Sequence, residues 1–105
     1  APIYFDVMSS TVDATALARL KSLKAKISAA GSVLVIGHSG TLNGNSPANK
    51  EIARQRALST VAALKSIGAE GPFAISGVGA LSPASTGKTE ADQAKNRRAV
   101  IVLIP

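Results

Sequence analysis

The hydrophobic and polar positions of the chain follow two different periods, which predicts strands alternating with helices. Residues 14–29 have a helical pattern, with lysine and arginine mostly on the side opposite the aliphatic residues. The aliphatic side consists of Leu17, Leu20, Leu23 and Ile27. Residues 47–67 form a second predicted helix. Its inward side consists of Ile52, Ala53, Ala57, Val61, Leu64 and Ile67. Gly31 and Gly68 follow the two segments, as glycines at helix ends typically do.

Four short apolar stretches between these helices are predicted as strands. They cover residues 2–7, 32–36, 73–76 and 99–104. The second and fourth are apolar throughout, a pattern typical of strands that are covered on both faces. A short polar helix is predicted over residues 89–95. The order β-α-β-α-β-(α)-β, in a chain of 105 residues, predicts one α/β domain over residues 1–105, with helices layered on a mostly buried sheet.

The composition limits what kind of protein this can be. Hydrophobic residues make up 46% of the chain and only three residues are aromatic, so the core must be aliphatic and disorder is excluded. The longest apolar run, residues 99–104, is far shorter than the ~20 residues of a membrane span. With no cysteine, the chain has neither disulfides nor a thiolate metal site. The chain begins with Ala1-Pro2 and enters a predicted strand at once, which indicates a mature or excised piece.

The charge is strongly positive, with 12 Lys and Arg against six acids and a net charge of +6. Such a balance favours anionic partners, and nonspecific binding to an acidic polymer is one hypothesis. However, the cations do not form a cluster, and no aromatic residues are interleaved with them as in single-strand binders. The charge is therefore typical of a solvated surface, and no specific nucleic-acid partner is predicted.

Two segments imitate catalytic motifs but lack essential parts. Residues 33–40 (VLVIGHSG) resemble a nucleophile elbow, but Thr41 stands where its last glycine belongs. His38, the chain's one histidine, is the direct neighbour of Ser39 and cannot easily align with it as a base. Residues 82–89 (SPASTGKT) resemble a phosphate-binding loop without its first glycine. A single histidine and scattered acids do not make a metal site. We predict no catalytic residue, metal or cofactor.

Three segments, taken together, resemble the OmpA-like C-terminal domain, the peptidoglycan-associating module of bacterial envelope proteins. They are Tyr4-Phe5-Asp6 with residues 9–12, residues 49–57 (NKEIARQRA), and Gly77-Val78-Gly79 with Pro83 and residues 96–100 (NRRAV). The resemblance spans essentially the whole chain. It implies a two-layer α/β sandwich with helices on a mixed four-stranded sheet, without catalytic activity, in the periplasm or cell envelope.

The resemblance also implies a ligand, the peptide stem of peptidoglycan, usually its diaminopimelate residue. That side chain ends in an ammonium and a carboxylate, and a planar guanidinium suits the carboxylate. By resemblance Arg56 fills this role, and helical geometry puts it beside Ile52, flanking the core face. The other expected site residues are Ser39, Gly40, Asn49 and Arg97. Arg97 and the next residue, Arg98, are predicted to point to opposite faces of a strand, so at most one of the two borders the site, and the pattern leaves open which one.

The chain departs from the family pattern at the residue that would hold the ammonium. The usual loop reads G-[HY]-[TS]-D, and here residues 37–40 read GHSG, so Gly40 replaces the aspartate. Residues 14–50 contain no acid, and Glu51 is predicted on a different helical face from Arg56. Asn43 and Asn45 offer only neutral acceptors, which bind an ammonium more weakly. We therefore expect weakened, altered or absent binding of the diaminopimelate stem. The alternative is a protein-interaction module of an envelope assembly.

Overall fold

The alternating pattern of the sequence corresponds to seven elements in the computed structural model, which describes residues 2–42 and 44–105. They are β1 (Pro2–Tyr4), α1 (Ala14–Ala29), β2 (Ser32–Gly37), α2 (Pro47–Ser66), β3 (Phe73–Gly77), α3 (Glu90–Asn96) and β4 (Arg98–Ile104). The predicted order of elements is confirmed. The first strand is shorter than predicted, because the chain leaves the sheet after Tyr4 and enters the loop that leads to α1.

The four strands form one mixed sheet in the order β1-β4-β2-β3. Strands β2 and β3 are parallel, with Val35 opposite Ile75, and β4 runs antiparallel to both of its neighbours. Val35 also lies opposite Ile101 of β4 in the centre of the sheet. The expected α/β sandwich on a mixed four-stranded sheet is confirmed.

The two faces of the sheet are buried to different degrees. Val33 and Val35 of β2 are buried in the hydrophobic core, whereas the alternate residues Leu34 and Ile36 are only half-buried. The apolar run of β2 therefore does not mean that the strand is covered on both faces, and that expectation was wrong. Alternation along a strand sends successive side chains to opposite faces, and an unbroken apolar run does not tell how well the second face is covered.

The core is aliphatic, as the composition requires. It joins one face of the sheet to α1 and α2 and includes Ile3, Leu20, Ile27, Val33, Val35, Leu64 and Ile101, with Phe5 as its buried aromatic ring. None of the helices within residues 2–42 and 44–105 is long and apolar enough to span a bilayer.

The two predicted helix-ending glycines have different roles. Gly68 has a φ of +86°, and the N–H groups of Gly68 and Ala69 donate to the carbonyls of Lys65 and Leu64. This arrangement closes α2 in the usual left-handed way. Gly31 does not have a left-handed φ, and the residue before it, Ala30, caps α1 in an extended conformation. A Cβ at Gly31 would lie 2.8 Å from the backbone carbon of Pro105, so close packing against the end of β4 explains this glycine.

Helix α2 approaches the sheet most closely at two strand-ending glycines. A Cβ at Gly37 would overlap with the carbonyl oxygen of Ala53, and a Cβ at Gly77 would lie 2.8 Å from the backbone of Arg54. The backbone of α2 therefore rests directly on the ends of β2 and β3. This contact sets where the side chains of the first half of α2 lie relative to the loop after β2.

Candidate ligand-binding cleft

A cleft of about 220 Å³ lies at the end of β2 where the chain enters the loop towards α2. Its walls come from the β1–α1 loop, the β2–α2 loop, the first half of α2, and α3 with the residue that follows it. The lining residues are Val7, Met8, Ser39, Gly40, Leu42, Asn49, Ile52, Arg56, Glu90, Gln93 and Arg97.

The structure brings all six residues expected from the sequence to this one cleft. They are Ser39, Gly40, Asn49, Ile52, Arg56 and Arg97. Sequence reasoning missed Glu90 and Gln93 of α3 and the aliphatic side chains of Val7, Met8 and Leu42. Val7 was the last residue of a predicted strand, and Met8 directly followed it. No signal in the sequence placed α3 against the loop after β2.

Arg56 forms the base of the cleft and is only 1% exposed. Its Nε donates to the carbonyl of Ser9 (2.8 Å), Nη1 to that of His38 (2.9 Å) and Nη2 to that of Asp6 (3.2 Å). The side chain thus joins the β1–α1 loop to the end of β2. Two of its five N–H groups have no acceptor among the described residues.

The positive charge of Arg56 is not neutralised by a carboxylate within residues 2–42 and 44–105. The one ion pair in that part of the chain joins Arg97 to Glu90. Besides three carbonyls, Arg56 contacts the ring of Phe5, whose centroid is 5.5 Å from the guanidinium carbon. Burial, and secondly the charge of Arg97, lowers the pKa of Arg56 to about 10, so the guanidinium stays protonated at pH 7. A buried cation without a counter-ion favours an anionic ligand.

The carboxamide of Gln93 occupies the space beside Gly40. A Cβ at Gly40 would lie 2.8 Å from Gln93 Oε1, and the φ of Gly40 is outside the left-handed region. Gln93 is 3% exposed; Oε1 accepts the Thr41 N–H (2.6 Å), and Nε2 donates to Thr41 Oγ1 (2.8 Å) and the Gly87 carbonyl (3.0 Å). The backbone at Gly40 therefore accepts a side chain, but Gln93 fills its place.

Asn45 of the β2–α2 loop and Asn49 of α2 hold the backbone of this loop. Asn49 Nδ2 donates to the carbonyls of Leu42 (3.0 Å) and Gly44 (2.6 Å), which fixes the loop at the start of α2. Asn45 Oδ1 accepts the N–H of Ala80 (3.0 Å) and so ties this loop to the one after β3. Asn43, the other expected acceptor, lies outside the described residues.

Of the two consecutive arginines, Arg97 faces the cleft. Its Nη2 lies 2.5 Å from Glu90 Oε1, and its Nε donates to the carbonyl of Phe5 (3.2 Å). Arg98 instead donates to the carbonyls of Asn96 and Ser82, away from the cleft. Glu90 is therefore a carboxylate on the cleft wall that a search near Gly40 in the sequence could not find, although it already has Arg97 as a partner.

His38 and Ser39 do not form a nucleophile–base pair. Ser39 Oγ donates to the carbonyl of Gly40 (2.8 Å), and the Nδ1 of buried His38 has no partner. Burial, and secondly the charge of Arg98, lowers the pKa of His38 and keeps the imidazole neutral at pH 7. No group of His, Asp and Glu within the described parts of the chain could hold a metal ion.

An α/β sandwich with a cleft built around a buried arginine is typical of a ligand-binding domain. The chain belongs to the OmpA family, whose model matches residues 4–97. Domains of this family are binding and anchoring domains, and the chain is non-catalytic. Comparison with curated protein sequences gave no match.

Solved structures with the same fold come from several bacteria. The peptidoglycan-associated lipoprotein of Burkholderia pseudomallei is 27% identical, with a TM-score of 0.85 over 96% of this chain and 87% of that one. The C-terminal domain of Helicobacter pylori MotB is 18% identical (TM-score 0.82; 97% and 82% covered). The cell wall anchor of the type VI secretion system of Pseudomonas aeruginosa is 23% identical (0.79; 98% and 78%). The last two show the fold alone.

Proposed function

We propose that this domain attaches to peptidoglycan in the cell envelope by binding a stem peptide in the cleft around Arg56. The observation that carries the proposal is the buried, protonated guanidinium of Arg56, which lines the cleft without a carboxylate partner in the described residues. A ligand carboxylate would accept the two remaining N–H groups as charge-assisted hydrogen bonds. The similar lipoprotein of Burkholderia pseudomallei is named for its association with peptidoglycan, which supports the same ligand class.

We further propose that the domain binds a diaminopimelate side chain more weakly than a relative that has the usual aspartate. Gly40 supplies no carboxylate, Gln93 is neutral, and the carboxylate of Glu90 is already paired with Arg97. Loss of one charge-assisted hydrogen bond costs about 1.5–3 kcal/mol. This corresponds to roughly a ten- to hundredfold loss of affinity.

Co-sedimentation with purified peptidoglycan sacculi tests the wall-binding proposal. Replacement of Arg56 would also release the loops that it holds, so the better variant is Ile52→Glu, which puts a negative charge on the cleft wall. We expect this variant to sediment at least about tenfold more weakly, since its carboxylate repels the ligand carboxylate and pairs with Arg56. Thermal unfolding verifies that the variant is folded.

The matched control is Ala62→Glu, which makes the same charge change at an exposed position of α2 outside the cleft. It should sediment like the unmodified protein. Equal weakening by both variants would contradict cleft binding and favour nonspecific attraction between the +6 domain and an acidic polymer. In that case binding would also collapse between low and moderate salt.

The second candidate function is a protein-interaction module of an envelope assembly. It is favoured by the absence of an acid at Gly40 and by three exposed aliphatic side chains on the cleft wall, Val7, Met8 and Leu42. This function predicts that the unmodified domain does not sediment with sacculi at any salt concentration, while it binds a purified envelope protein and loses that binding with Ile52→Glu.

A further inference from the structure

We infer that the cleft selects an aliphatic group that ends in a carboxylate and carries no ammonium beside it. The inference rests on the proposed function in one respect, that the same cleft is the ligand site. It goes further because it assigns the cleft to the terminal residue of the stem peptide and not to the side-chain end of diaminopimelate. In a stem peptide, the terminal residue has this chemistry, since its nitrogen is part of a peptide bond, whereas the side-chain end of diaminopimelate is a zwitterion.

The charges of the cleft favour an anion over a zwitterion. Arg56 and Arg97 are the cations on its wall and Glu90 is the one carboxylate there among the described residues. Arg97 and Glu90 neutralise each other at 2.5 Å, which leaves Arg56 with an unbalanced charge. A ligand carboxylate balances that charge by itself. An ammonium on the adjacent carbon adds a second cation close to the unbalanced charge of Arg56, and like charges at such distances repel each other.

Gln93 occupies the space beside Gly40 from which a carboxylate at position 40 could bind an ammonium. Both hydrogens of its carboxamide are donated inside the protein, to Thr41 Oγ1 and the Gly87 carbonyl, and its oxygen accepts the Thr41 N–H. The side chain is nearly fully buried beside Gly40. Gly40 and Gln93 therefore act as a pair. The small size of Gly40 makes room for the neutral carboxamide of Gln93, which holds the turn through its hydrogen bonds to Thr41.

The aliphatic side chains at the cleft fit the hydrocarbon part of such a ligand. Val7, Met8 and Leu42 are 62%, 73% and 54% exposed, and all three line the cleft. Met8 has a φ of +55°, which is unusual for a residue with a side chain. Arg56 holds the backbone on both sides of this residue, through the carbonyls of Asp6 and Ser9. Arg56 thus supplies the charge of the cleft and also positions the backbone that carries Val7 and Met8.

Two small molecules with the same carbon skeleton test the inference, hexanoate and 2-aminohexanoate, which differ by one ammonium group. Both are titrated into the full chain and followed by amide chemical shifts. We expect shifts at Ser39, Gly40 and Gln93. Hexanoate should bind at least about fivefold more tightly than 2-aminohexanoate, because one like-charge contact near a protein surface is removed. Equal or tighter binding of 2-aminohexanoate, or no shifts in the cleft with either compound, would overturn the inference.

A matched pair of double variants tests the role of Gln93 and Gly40. Gly40→Asp with Gln93→Ala makes room for a carboxylate, and it should reverse the preference in favour of 2-aminohexanoate. Gly40→Asn with Gln93→Ala has the same shape without the charge and should keep the preference for hexanoate. If the unmodified protein prefers 2-aminohexanoate and Glu90→Gln abolishes this preference, Glu90 is the ammonium ligand and the inference is wrong.

A third arm separates this inference from the proposed function. Hexanoate is added as a competitor while the domain sediments with sacculi, and it should displace the domain. If the domain does not sediment at all but still prefers hexanoate in the cleft, the proposed function fails and the ligand chemistry stands. If it sediments and prefers 2-aminohexanoate, wall binding stands and the inference fails.

Discussion

At the scale of single residues, Arg56 combines two roles that are usually separate. Its guanidinium is buried and bonded to three backbone carbonyls, so it is a structural link between the β1–α1 loop and the end of β2. It also lines the cleft with charge that no described carboxylate balances. A buried charge is costly unless it is bonded, and the three carbonyls offset part of this cost. The remaining charge favours an anion in the cleft.

Arg56→Lys tests the structural role. A lysine keeps the charge but cannot reach three carbonyls with the fixed geometry of a guanidinium. We expect the free energy of unfolding in urea to fall by about 2–4 kcal/mol, because at least one charged hydrogen bond is lost and buried carbonyls are left without donors. Arg54→Lys, at an exposed residue of the same helix, is the control and should change stability by less than about 0.5 kcal/mol. Similar losses in both variants would contradict the structural role of Arg56.

At the scale of elements, the position of α2 determines the geometry of the cleft. This helix carries Asn49, Ile52 and Arg56, and it rests directly on the ends of two strands at Gly37 and Gly77. The short helix α3 closes the opposite wall with Glu90 and Gln93. The cleft therefore depends on close backbone contact at the strand ends, where a single methyl group would separate α2 from the sheet.

Gly37→Ala tests this dependence on close contact. The added methyl group overlaps with the carbonyl oxygen of Ala53, so α2 must move away from β2, and we expect a loss of about 3 kcal/mol in urea unfolding. The matched control is Gly44→Ala. Gly44 has a φ of +62° but no atom within 4 Å of its Cβ position, so the expected loss is only about 1–2 kcal/mol from the backbone conformation. A larger loss at Gly44 than at Gly37 would be inconsistent with the packing described above.

At the scale of the whole molecule, local patterns predicted the elements but not the contacts between distant segments. Both long helices follow from aliphatic spacing, and the motif around residues 49–57 pointed to Arg56. The contact of Gln93 with Thr41 spans 52 residues, and neither periodicity nor spacing carries information on such a pair. Gly31 is similar: its role depends on Pro105, at the other end of the chain. The sequence showed that Gly40 lacks a carboxylate, and only the structure showed that Gln93 fills the space.

The most direct test of the central claim is an amide-shift titration of the full chain with a soluble muropeptide. Ligand binding around Arg56 predicts saturable shifts at Ser39, Gly40, Asn49 and Gln93, which come from three separate segments and meet in the cleft. It predicts little change along the lysines of α1, which are exposed. Saturable shifts confined to the lysine-bearing side of α1, with none at the cleft, would contradict the account.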